Sequence, residues 1–122
     1  MLGVIVFAHG SRDPLWRRPI EAVAVQIEQT DPSALVRCAY LELCEPDLPG
    51  AAAQLVARGV TRLRVLPLFF GMGKHAREDL PKLLSALRST HPNVTVEALP
   101  AAGESPRLTT LLAEMALDTT LP

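Results

Sequence analysis

Aromatic residues make up only 4% of the 122-residue sequence. That leaves few rings for a stacking platform of the kind that holds single-stranded nucleic acid. Charge is uncommitted as well: 12 Lys and Arg stand against 13 Asp and Glu, for a net charge of −1. With no basic field to neutralise phosphates, nucleic acid is not an expected partner. Cysteine is scarce. Cys38 and Cys44 have five residues between them, which suits neither a C-x-x-C redox pair nor a zinc knuckle. Reduced thiols in a cytoplasmic protein are the expectation. No apolar run approaches the ~20 residues of a membrane span. The run that opens the chain ends at Ala8 with no charged segment before it, too short for a signal peptide. With 48% hydrophobic residues, disorder is excluded too. One domain over residues 1–122 is expected, with no membrane partner.

What the sequence does have is a run of apolar residues that ends in chemistry. Val4-Ile5-Val6-Phe7-Ala8 leads directly into His9-Gly10-Ser11-Arg12-Asp13-Pro14. An unbroken apolar run of this length reads as a strand buried on both faces. The polar cluster would then lie at the strand's C-terminal end, where open α/β sheets place their ligand sites.

Further along, strands and helices alternate. A first strand over about Leu2 to Ala8 precedes a helix marked by Trp16, Ile20, Val23 and Ile27. Pro19 is easiest to place within a first turn, so regular helix is expected to start near Arg18. A second strand covers about Ala34 to Leu41, with Arg37 pointing to an edge position. Asp47 is the expected N-cap of the next helix, which Gly59 stops. The third strand, from Arg62, should lose regular pairing near Pro67, because proline cannot donate to a ladder. A loop through Gly71-Met72-Gly73 reaches Lys74-His75, and Asp79 is expected to cap a third helix. A fourth strand covers Val94 to Ala98. A last helix after Ser105-Pro106 carries the stripe Leu108, Leu111, Leu112 and Met115.

This order predicts an α/β fold: a four-stranded parallel sheet with helices on both faces. Right-handed crossovers favour the flavodoxin-like order 2-1-3-4. That order makes strands 2, 1 and 3 neighbours, and their ends carry Glu42, His9 and the loop to His75. Adjacent strands lie ~4.8 Å apart, so the three ends span roughly 10 Å. Two imidazoles and a carboxylate suit a divalent metal such as Co²⁺, Fe²⁺, Ni²⁺ or Zn²⁺. Their open coordination positions suit a transfer site, and imidazole also takes protons near neutral pH.

Three segments together resemble the sirohydrochlorin cobaltochelatase family, in its small, single-domain CbiX-like form. They are Ala8-His9-Gly10-Ser11-Arg12-Asp13-Pro14, Tyr40-Leu41-Glu42-Leu43-Cys44-Glu45-Pro46, and the run from Pro67-Leu68-Phe69-Phe70 through Gly73-Lys74-His75 to Asp79-Leu80-Pro81. The resemblance implies a class II chelatase fold and ATP-independent insertion of a divalent metal, Co²⁺ first and Fe²⁺ or Ni²⁺ next, into a tetrapyrrole. It implies that His9 and His75 bind the metal and help deprotonate the ring, with Glu42 as a third ligand or an orienting group. It also implies a homodimer with the tetrapyrrole cavity between subunits, and no organic cofactor. Ser11, Arg12 and Lys74 stand where they could meet the macrocycle's peripheral carboxylates. Ala8 replaces a glycine often found in the family, a small-for-small change. Two other readings compete: a non-catalytic metal or tetrapyrrole carrier with the same fold, and phosphoryl transfer. The second is weak because Ala8 stands where histidine phosphatases carry arginine, and no Gly-x-x-x-x-Gly-Lys-[Ser/Thr] loop occurs.

Overall fold

The computed structural model describes residues 1–118. Four strands, β1 (Leu2–Ala8), β2 (Leu35–Tyr40), β3 (Arg62–Pro67) and β4 (Thr95–Ala98), form one sheet in the order β2-β1-β3-β4. Every pairing is parallel. Between and after them run α1 (Pro14–Thr30), α2 (Leu48–Ala57), α3 (Lys74–Thr90) and α4 (Pro106–Leu117), with a 3₁₀ turn at Ala102–Glu104. The expected strand order is the observed one, and Arg37 does lie on the edge strand.

Alternation along β1 divides the core in two, because successive side chains leave opposite faces of a strand. Val4, Val6 and Ala8 join Ile20 of α1, Val36 and Tyr40 on one face. Ile5 and Phe7 join Leu48 and Leu55 of α2 and Leu80, Leu84 and Leu87 of α3 on the other. Both faces of β1 are thus covered, and its end is placed centrally between β2 and β3. Pairing of β3 with β1 runs to Phe7 opposite Pro67, as the missing proline N–H requires. The amide of Leu68 then donates to the Phe7 carbonyl at 2.7 Å.

Two helices begin earlier than their prolines implied. α1 starts at Pro14, with the Asp13 carboxylate accepting from the Leu15 amide at 2.9 Å. Proline at the first position and an aspartate cap are a strong start signal. Pro19 is carried inside the helix, on its exposed side. α3 likewise starts at Lys74, with Gly73 as its N-cap and Pro81 inside. Asp79 is therefore a mid-helix residue and not the cap. His75 sits in the first turn of α3 instead of in the preceding loop. Asp47 does cap α2, accepting from the Gly50 amide at 2.8 Å.

α4 departs furthest from its apolar periodicity. None of its residues is buried, and Leu111 and Met115 remain about half exposed. It follows the 3₁₀ turn and packs chiefly on that turn, so its stripe is only partly covered, with Leu108 and Leu112 half-buried.

Candidate active site at the ends of three strands

His9 continues the face of β1 that carries Ile5 and Phe7. Its ring lies 4.4 Å from the ring of Phe69, centroid to centroid, and Phe69 meets Phe7 edge-on at 5.8 Å. Phe7 and Phe69 are buried while His9 is exposed. A buried aromatic pair thus supports the imidazole from below and leaves it open to solvent.

The loop after β2 is fastened to the loop after β1. The amide of Leu41 donates to the Ala8 carbonyl at 2.9 Å, and that of Glu42 to the His9 carbonyl at 3.0 Å. Gly10 makes this approach possible. It has φ +111, and a Cβ there would fall 1.8 Å from the Glu42 carbonyl oxygen. No L-residue with a side chain fits such a position without moving one loop.

The loop after β3 is fastened on its other side. The Gly103 amide donates to the Phe69 carbonyl at 2.9 Å, and the Phe70 carbonyl lies where a Cβ on Gly103 would be. Phe69 is thereby held beneath His9, and the chain proceeds to Lys74 and His75 at the start of α3. The N-cap of that helix, Gly73, supplies no side-chain hydrogen bond. The first-turn amides remain available to an anion, which the helix dipole also favours.

The structure gathers the expected site residues at one end of the sheet. His9, Arg12, Glu42, Lys74 and His75 are exposed and Ser11 is half-buried. The Ser11 hydroxyl oxygen accepts from the Asp13 amide at 3.1 Å, which leaves its O–H free to donate. The three candidate ligands do not close into a preformed set: among the described residues, no group of three or more His, Cys, Asp or Glu is placed to hold a metal ion. Gly10 and Phe69 stand within the motif segments of the sequence but carry no role there, and Gly103 lies outside all of those segments. The Phe69-Phe70 pair, two of the three phenylalanines in the chain, is the sequence signal for an aromatic support in this loop.

Beside the site, Tyr40 is buried at the end of β2 and its phenol is pushed up to about 12. Burial is the main cause, followed by Cys38, Cys44 and Glu21 nearby, whose negative charge opposes ionisation. Burial also raises the Cys38 thiol. Both cysteines are free.

The CbiX family model matches residues 3–119. The chain belongs to the CbiX family. A sirohydrochlorin cobaltochelatase from Methanopyrus kandleri is 34% identical over 84 residues, which make up 69% of this chain and 59% of that one. A protein of the same name from Sulfolobus acidocaldarius is 29% identical over 116 residues, covering 95% and 90% of the two chains. Among solved structures, the CbiX protein from Marinobacter aquaeolei VT8 superposes with a TM-score of 0.81 at 31% identity, covering 95% of this chain and 94% of that one. The CbiX assignment thus rests on nearly the full chain, while the match to the M. kandleri relative spans less than two thirds of that protein's length.

Proposed function

We propose that this CbiX chain is a class II chelatase that inserts a divalent metal, Co²⁺ foremost, into sirohydrochlorin or a related tetrapyrrole without ATP. The observation that supports the reading is the strand order, which sets the end of β1 with His9 beside the end of β3, whose loop leads to His75 in the first turn of α3, in a chain whose relatives are named sirohydrochlorin cobaltochelatases. Fe²⁺ and Ni²⁺ suit the same donors, since affinity follows the ion more than the site.

The task is to strip water from the metal, take two protons from pyrrole nitrogens and bring ion and ring together. His9 and His75 serve as nitrogen donors and as proton acceptors, and Glu42 serves as a third donor or as the group that orients a histidine. An open donor set fits this task, because the ion must leave the protein for the ring. Holding both reactants in one cleft makes the encounter oriented, an advantage of up to ~7–11 kcal/mol in ideal systems. Ser11 O–H, the Arg12 guanidinium, the Lys74 ammonium and the first amides of α3 are suited to the ring's carboxylates.

The working unit in this reading is a homodimer, with the second copy closing the cleft over the exposed site. The apolar stripe that α4 leaves in solvent supports a partner surface. A cytoplasmic setting accords with the two free cysteines, and no helix among the described residues is long and apolar enough to cross a membrane.

The test is anaerobic mixing of purified protein with sirohydrochlorin and Co²⁺, Fe²⁺ or Ni²⁺, followed by absorbance. Multiple turnovers faster than the protein-free reaction are expected. Stoichiometric binding with no acceleration would overturn the assignment in favour of a carrier. Light scattering on the same sample should give twice the chain mass.

A further inference from the structure

Two large apolar side chains stand in solvent on the loops that flank His9. Phe70, after β3, is 73% exposed, and Leu43, after β2, is 51% exposed. Neither loop is loose. The Cys44 amide donates to the Glu42 carbonyl at 2.9 Å, which makes a three-residue γ-turn with Leu43 at its centre and φ 68. A γ-turn of this hand is rare and strained for a residue with a side chain. It is held in place by the Glu42 amide on His9 and by the Glu42 carbonyl lying against Gly10. On the other loop, the backbone of Phe69 and Phe70 is seated on Gly103. The fold thus spends strain and two tight glycine contacts to present a leucine and a phenylalanine that it does not bury.

We infer that Leu43 and Phe70 form an apolar clamp that seats the face of the tetrapyrrole ring beside His9; this rests on the chelatase reading and names which residues recognise the ring itself. Basic and hydroxyl groups account for the carboxylate rim of such a substrate, whereas its flat conjugated face needs apolar contact from groups whose positions are fixed. The neighbouring cavity of about 330 Å³ does not supply this. It opens between α2 and α3, neither histidine lines it, and its charged lining is Asp47, Asp79 and Lys82, two carboxylates against one ammonium and a poor match for a polycarboxylate substrate. Leu43 follows Glu42, whose amide is bonded to the His9 carbonyl, Phe70 follows Phe69, whose ring meets His9, and neither carries a charge. Their loops leave the two strands on either side of β1, so a ring resting on both lies across the end of β1, where the metal donor His9 is.

The experiment titrates metal-free sirohydrochlorin into wild type, Leu43→Gly, Phe70→Ala and Phe70→Leu, and titrates Co²⁺ alone into each. Leu43→Gly relieves the strained turn, so it should melt no lower than wild type yet bind the ring roughly tenfold or more weakly. Phe70→Ala should weaken the ring similarly, and Phe70→Leu should recover most of the loss. Co²⁺ binding and the oligomeric state should not change. Unaltered ring affinity in Leu43→Gly and Phe70→Ala would overturn the clamp. So would loss of ring binding that tracks dissociation into single chains, which would assign both side chains to a contact with a second copy. A wild-type protein that binds no ring at all would instead refute the chelatase reading, a result distinct from either.

Discussion

The amide of Glu42 donates to the carbonyl of His9 at 3.0 Å, across the gap between the ends of β2 and β1. Through this bond the loop that carries the carboxylate is fixed to the loop that carries the imidazole. The contact exists because Gly10, between them, has no Cβ.

Gly10→Ala should accordingly damage both fold and site. Its φ of +111 disfavours alanine, and the new methyl would overlap the Glu42 carbonyl. A loss of about 2–4 kcal/mol is expected in urea unfolding, with metal insertion reduced further than the unfolded fraction explains. Stability and activity equal to wild type would show that the two loops are not coupled.

Phe69 offers a way to loosen His9 without touching it. Phe69→Ala removes a buried ring and should cost about 3–5 kcal/mol. Phe69→Leu keeps much of the volume and should cost less. It nevertheless removes the aromatic surface on which the imidazole rests, so the rate of metal insertion should fall more than stability does. Crystal structures or histidine NMR of the leucine variant would show a more mobile His9 ring, and an unchanged ring would contradict the support role.

Alkaline unfolding tests the environment of Tyr40. The folded protein holds the phenolic proton up to about 12, whereas an unfolded chain releases it near ~10. Between those values the folded state binds more protons than the unfolded one, so stability must fall as pH rises. The raised Cys38 thiol acts in the same direction at somewhat lower pH. Urea midpoints taken across this window should decline, and Tyr40→Phe should decline less steeply. A stability that rises with pH there would contradict the burial of Tyr40.

Much of this arrangement is legible in the residues. The apolar run through β1 requires cover on both faces, and alternating elements with right-handed crossovers leave few strand orders, so His9, Glu42 and His75 were expected on neighbouring ends. The starts of α1 and α3 were less legible. A proline read locally sets a boundary, but Pro19 and Pro81 lie on exposed sides of helices already started at Pro14 and Lys74. The support beneath His9 was not legible at all. Phe69 meets His9 only after a long chain excursion, and the demands on Gly10 and Gly103 come from carbonyls on other loops. Periodicity gave α4 an apolar stripe but contained nothing about what covers it.

In the proposed reaction the two imidazoles bring the metal to the ring. That role is tested most directly by steady-state Co²⁺ insertion into sirohydrochlorin with wild type, His9→Ala and His75→Ala, each checked for folding and for binding of the metal-free ring. Both side chains are exposed, so neither change should cost more than about 0.5 kcal/mol of stability. Each is expected to keep ring binding and to lose insertion by roughly a hundredfold or more, the scale of a lost acid–base group. Undiminished turnover in both variants would show that the histidines do not deliver the metal.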